Sequence, residues 1–119
     1  ERPAHHAWVR EHGRAGDVFL TPVGDQDFRL ATGIPQYVSF KSHPYQDVEV
    51  LEWHRRVELA REVQAAPAAS CARLRRTGER AGVTHVVWPR GRVEEAPCGF
   101  LERVYGDREV VIFALTTAG

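Results

Sequence analysis

Lys41, Ser42 and His43 stand in a row, with Asp47 four residues on, and these are the residue types from which a binding or acid–base site is built. Lys41 is the single lysine against fifteen arginines, and the chain has no asparagine or methionine. In so arginine-rich a sequence a lysine suggests a use for a compact ammonium rather than a planar guanidinium. The plain alternative is a solvated surface charge. Ser42 beside His43 is not a triad, because neighbours in a turn diverge and a nucleophile needs its base within hydrogen-bond reach. A small hydrolase or transferase using His43 with Asp25 or Asp27 is the enzymatic alternative, and it requires those side chains to share one cleft.

Other chemistries find less support. A metal site from His43, Asp47 and acidic neighbours has neither a helical His-x-x-x-His nor a paired-cysteine spacing behind it, so no metal is expected. His5 and His6 read as solvated residues that would take up metal only adventitiously. His85 lies in an apolar run and reads as a core imidazole. The glycines fit neither the dinucleotide fingerprint nor the phosphate-binding loop, so no nucleotide cofactor is expected.

The elements that must position these residues follow from punctuation and periodicity. A short helix is expected from Ala4 to about Arg14, stopping at Gly13 or Gly16. Asp17 to Thr21 reads as strand one, closed by Pro22 and Gly24. Asp25 is expected to cap a short helix that ends before Gly33, and Tyr37 to Phe40 reads as strand two. Asp47 caps the longest helix, Val48 to about Ala66, whose Val50, Trp53, Val57 and Ala60 fall on one stripe. Ser70 caps the next, with Cys71, Leu74, Gly78 and Ala81 inward and Arg73, Arg76 and Arg80 outward. Val83 to Trp88 is strand three, and Phe100 to Tyr105 with Val110 to Leu115 form a hairpin around Gly106 and Asp107.

Strands alternating with helices predict a small three-layer α/β domain, Rossmann-like, with parallel strands in the order 2-1-3. The C-terminal antiparallel hairpin extends the sheet, its last strand beside strand three. Ligands of open α/β sheets bind beyond the carboxyl ends of the strands. That edge would gather Thr21, Asp25 and Arg29 from one loop, Lys41, Ser42 and His43 from a second, and Trp88, Arg90 and Arg92 from a third. Helix N-termini and these cations favour a phosphate or carboxylate. Against this, Asp25 and Asp47 could fill the helix ends as caps and pair with the arginines. Tyr45 and Trp88 could line a pocket, whereas Trp8, Trp53 and Phe28 read as core anchors.

At 119 residues and 43% hydrophobic content the chain is expected to be one domain, 1–119, with a core of its own. Sixteen basic residues balance sixteen acidic ones, which argues against a nucleic-acid partner. No stretch reaches the roughly 18 apolar residues of a membrane span, and the missing methionine suggests a domain excised from a longer chain. Cys71 and Cys98 could pair in an oxidising compartment or remain as two packed thiols.

Several runs carry a family resemblance: Ala7-Trp-Val-Arg-Glu-His12, Asp17-Val-Phe-Leu-Thr-Pro22, Asp27-Phe-Arg-Leu-Ala-Thr-Gly33, Val38-Ser-Phe-Lys-Ser-His-Pro-Tyr-Gln-Asp47 and Leu51-Glu-Trp-His-Arg-Arg56. Together they resemble the C-terminal soluble domain of bacterial multi-pass membrane proteins that are similar to mannosyltransferase- and oligosaccharyltransferase-type integral-membrane glycosyltransferases. Gly82 to Pro89 and Val104 to Phe113 fit the usual ending of that domain. The chain departs from it at Glu11-His-Gly-Arg-Ala15, where such domains tend to carry a Thr-Pro turn. The resemblance implies an extracytoplasmic, periplasmic location and the membrane portion of the same polypeptide as a partner. It implies an accessory module for a glycan, a lipid-phosphate or a protein acceptor, and it supplies no catalytic residue. A structural oligomerisation domain is the remaining alternative, whose mark would be a large exposed apolar patch.

Overall fold

The computed structural model describes residues 3–39 and 47–116, the side chains of 47–49 excepted. Lys41, Ser42, His43 and Tyr45 therefore lie outside the described residues, as does the side chain of Asp47. The elements run α1 (Ala4–His12), β1 (Phe19–Leu20), α2 (Phe28–Thr32), α3 (Asp47–Ala65), a 3-10 turn (Ala68–Ser70), α4 (Cys71–Ala81), β2 (His85–Pro89), β3 (Leu101–Gly106) and β4 (Val110–Leu115).

One four-stranded mixed sheet has the order β1-β2-β4-β3. β1 and β2 pair in parallel, while β2 with β4 and β4 with β3 pair antiparallel. The hairpin and the placement of the last strand beside His85–Pro89 agree with the sequence reading. The 2-1-3 parallel core does not appear as such. Where a second strand was expected, a single parallel bridge joins Phe19 to Gln36, and residues 37–39 leave the ladder. β1 itself has two residues, because Pro22 cannot donate to a ladder and the chain turns at once.

Period-two alternation divides the core into two clusters. On one face Leu20, Val86, Trp88, Val111 and Phe113 pack with Val57, Ala60 and Val63 of α3 and Leu74 of α4. On the other, Phe19, Val87, Val110 and Ile112 pack with Val9 of α1 and Phe28 of α2. The registers Val86↔Phe113, Val87↔Ile112 and Trp88↔Val111 keep each face apolar across the two central strands. The result is three layers, with α1 and α2 on one side of the sheet and α3 and α4 on the other.

Helix ends explain several details. Gly33 and Gly82 adopt φ of 76° and 72° and terminate α2 and α4 in the left-handed region that glycine tolerates best. α3 stops before Pro67, which has no N–H, so the Val63 carbonyl lacks its usual helical donor. The indole of Trp88 supplies one, its Nε1 lying 2.8 Å from that oxygen. Ser70 does not cap α4 through its side chain; its Oγ instead donates to the Ala66 carbonyl at 2.7 Å. Cys71 and Cys98 form a disulfide, which ties the start of α4 to the irregular stretch 90–100 that precedes β3.

Candidate functional site

The sheet edge expected to hold the anion patch does form a groove, of about 440 Å³. Pro22, Val23 and Gly24 come from the loop after β1, Pro89 and Arg92 from the end of β2 and beyond, and Arg61 and Gln64 from α3. Gln64 Nε2 donates to the Val87 carbonyl at 2.8 Å, which pins α3 across the strand that ends at the groove.

Of the described residues singled out from the sequence, Arg92 lines this groove and the others do not. Thr21 is buried and accepts a 2.9 Å hydrogen bond from Gln36 Nε2. Arg29 is exposed on α2. Arg90 donates to the Asp107 carbonyl at 2.7 Å and lies 3.3 Å from Glu94, which commits it to the β3–β4 turn. Trp88 is fully buried against Phe113 and the end of α3, so it lines no pocket, a correction that follows from its place on an inward-facing position of β2.

Asp25 is the second correction. It caps no helix: α2 begins after Asp27, and the cap position makes no side-chain hydrogen bond. The Asp25 carboxylate instead meets the first turn of α1, with His6 Nε2 at 3.1 Å and His5 Nε2 at 3.5 Å from its Oδ2. Both imidazoles are more than nine-tenths buried, so the expectation that they are solvated does not hold. The inward face of α1 is made of His5, His6 and Val9. Burial opposes the charge on Asp25, but His5 and His6 together outweigh it and hold its pKa below the ordinary carboxylate value.

The densest positive charge lies elsewhere. A cleft of about 460 Å³ opens between α3 and α4, and five arginines line it against one glutamate. Arg55 and Arg56 come from α3, and Arg73, Arg76 and Arg80 from α4. Their helical spacings explain the convergence, since residues three and four apart on a helix are surface neighbours. Arg56 is anchored, donating to the Tyr37 carbonyl at 3.0 Å and to Glu52 at 3.1 Å while stacking on the Tyr37 ring. Arg73 pairs with Glu62. Arg76 and Arg80 make no ion pair or side-chain hydrogen bond among the described residues. Leu59, Thr77 and Ala81 form part of the wall, and Arg80 sits in the last turn of α4, where the helix dipole favours a cation.

Two unpartnered guanidiniums beside a braced third make an anion receptor in chemical terms, because the guanidinium fork matches phosphate and carboxylate oxygens. The outward Arg73-Arg76-Arg80 row was visible in the sequence as a solvated face. What was missing was the facing pair from α3, because nothing in the sequence fixes how closely the two helices approach.

His85, read as a core imidazole, is half-buried at the start of β2. It stacks on Phe19 with ring centroids 4.3 Å apart and shares a 2.8 Å hydrogen bond with Thr84, and burial lowers its pKa. Trp8 is half-buried between His12 and Tyr105. Of the enzymatic alternative, His43 lies outside the described residues, and Asp25 faces His5 and His6. The exposed large hydrophobics among the described residues are Leu30 and Leu51, on different helices. Among the described residues, no helix is long and apolar enough to cross a membrane.

Neither the curated proteins nor the solved structures gave a match to this chain. A family model described as a domain of unknown function (DUF6798) matches residues 4–60, a stretch that runs from α1 into α3 and contains His5, His6 and Asp25.

Proposed function

We propose that this chain is a non-catalytic, extracytoplasmic binding domain of a multi-pass membrane protein, and that it holds a phosphorylated ligand in the cleft between α3 and α4. The observation that carries the reading is the five-arginine lining of that cleft, with Arg76 and Arg80 unpartnered among the described residues. A chain whose formal charges sum to zero has no general excess of cations to place there. The Cys71–Cys98 disulfide supports an oxidising, extracytoplasmic compartment. The resemblance to soluble domains of glycosyltransferase-like membrane proteins supports the membrane partner and an accessory role toward a glycan, a lipid-phosphate or a protein acceptor. Kinship with Rossmann-like sheets belongs to the same proposal and rests on fold analogy alone.

Inorganic pyrophosphate is a suitable probe, because it presents the shared chemistry of a lipid-phosphate headgroup and a free phosphate. By calorimetry, the Arg76→Ala/Arg80→Ala double variant should bind it at least about tenfold more weakly than the wild type, since each lost charge-assisted hydrogen bond is worth on the order of 1.5–3 kcal/mol. Its stability should change by no more than about 0.5 kcal/mol per site, because both side chains are exposed. Unchanged affinity in the double variant would remove the basis for this reading.

A further inference from the structure

We propose that His5, His6 and Asp25 form a binding site for a first-row divalent transition metal, with zinc as the best-suited ion. The site does not depend on the arginine cleft, and no residue is shared between the two. Three potential ligand atoms, one from each residue, lie within 4.8 Å of one another. Zinc held at about 2.0–2.1 Å by nitrogen and oxygen donors in a tetrahedron spaces neighbouring donors about 3.3 Å apart. The two measured separations from Asp25 Oδ2, 3.1 Å to His6 Nε2 and 3.5 Å to His5 Nε2, bracket that edge.

A second observation points to a missing partner. Both ring nitrogens of His5, and Nδ1 of His6, are buried without a hydrogen-bond partner. Buried polar atoms are nearly always satisfied, and His5 Nε2, which faces the Asp25 carboxylate at 3.5 Å, is the orphan that a metal ion would satisfy. A metal ion accepts the Nε2 lone pair, which a lone carboxylate cannot do because it offers only acceptor oxygens, and it leaves each Nδ1 to carry the ring N–H. Two imidazoles and one carboxylate suit zinc and its neighbours in the first row better than calcium or magnesium, which take oxygen ligands.

The surroundings hold the cluster in place. Gln36 Nε2 donates to the Asp25 carbonyl at 2.7 Å and to Thr21 at 2.9 Å, and Asp25 N–H donates to the Pro22 carbonyl at 3.0 Å. Gln36 is a positioning residue that fixes the loop after β1. The His6 ring packs edge-on against Phe28, and the His5 and His6 rings meet at 4.6 Å. With its side chain 17% exposed, Asp25 is the open side of the site. Three protein ligands leave a fourth position there for water or for an oxygen of a bound ligand.

The test uses the untagged chain, stripped with a chelator and titrated with zinc chloride alone. One equivalent is expected to bind, and Asp25→Asn, which keeps the side-chain volume, is expected to weaken binding at least tenfold while retaining a cooperative melt. Changes one shell further out already cost metal sites roughly 10–100-fold. Binding of less than one equivalent by the wild type, or a loss smaller than tenfold in Asp25→Asn, would overturn the proposal. A measurement on the wild type alone guards against misfolded variants: zinc must perturb the imidazole NMR signals of His5 and His6 and leave those of His12, His54 and His85 in place. Perturbation confined to the other histidines would equally overturn it.

Discussion

Reduction of the Cys71–Cys98 disulfide should lower the thermal midpoint of this domain by roughly 10 °C or more. The two cysteines are 27 residues apart, and closing a loop of that length removes unfolded-state entropy equivalent to about 3.5 kcal/mol. Stabilities of domains this size are about 5–15 kcal/mol, so the bridge is a large fraction of the whole. It also acts where the chain has little else to order it, since the stretch 90–100 has neither helix nor strand and is anchored inward by Val93 and Cys98. Melting the protein with and without dithiothreitol measures the effect, and the Cys71→Ala/Cys98→Ala variant should match the reduced protein. Equal midpoints in oxidised and reduced protein would mean that the bridge does not constrain the chain. The compartment argument would then lose its main support.

The second large effect is expected at Trp88. It is fully buried, meets Phe113 with ring centroids 5.7 Å apart, and gives the Val63 carbonyl the donor that Pro67 cannot. Trp88→Ala should cost about 3–5 kcal/mol through lost burial and the cavity left behind. Trp88→Phe removes the donor and also one ring of the indole, so it should cost at least the roughly 1–3 kcal/mol of an unsatisfied buried carbonyl, with a smaller cavity loss than Trp88→Ala. Denaturant unfolding of both variants measures the two losses. A Trp88→Phe variant as stable as the wild type would show that water or a shifted helix end satisfies Val63 instead.

The strands and helices differ in how far they could be read from the sequence. β4 falls on Val110–Leu115 as read, because an unbroken apolar run after Gly106 and Asp107 admits little besides a buried hairpin strand. α3 and α4 fall close to their expected bounds, because Pro67 and Gly82 are strong local stops. Tyr37–Phe40 has the composition of a strand, yet among the described residues it is Gln36 that bridges to β1. β-propensity reports a fit to a half-buried surface, and whether a ladder forms depends on the neighbour, here a strand of only two residues.

The sites were less legible than the elements, for a related reason. His5 and His6 look polar and terminal, so they read as solvated, while Trp8 read as a core anchor. Docking of α1 against α2 and the loop after β1 turns the two histidines inward instead, a tertiary outcome that no window of sequence contains. Asp25 preceded a helical run and looked like a cap, but the helix starts three residues later at Phe28. Arg76 and Arg80 were legible as an exposed row, whereas their opposition to Arg55 and Arg56 depends on how the two helices pack.

The most direct test of the account is to titrate the isotope-labelled domain with inorganic pyrophosphate and follow the backbone amide and arginine side-chain signals by NMR. Saturable shifts are expected to concentrate on residues 52–59 of α3 and 73–81 of α4, with the Arg76 and Arg80 guanidinium signals among the largest, and to attenuate as salt is raised. Saturable shifts confined to the strand-edge groove at residues 22–24 and 89–92, or no saturable shifts at all, would contradict it.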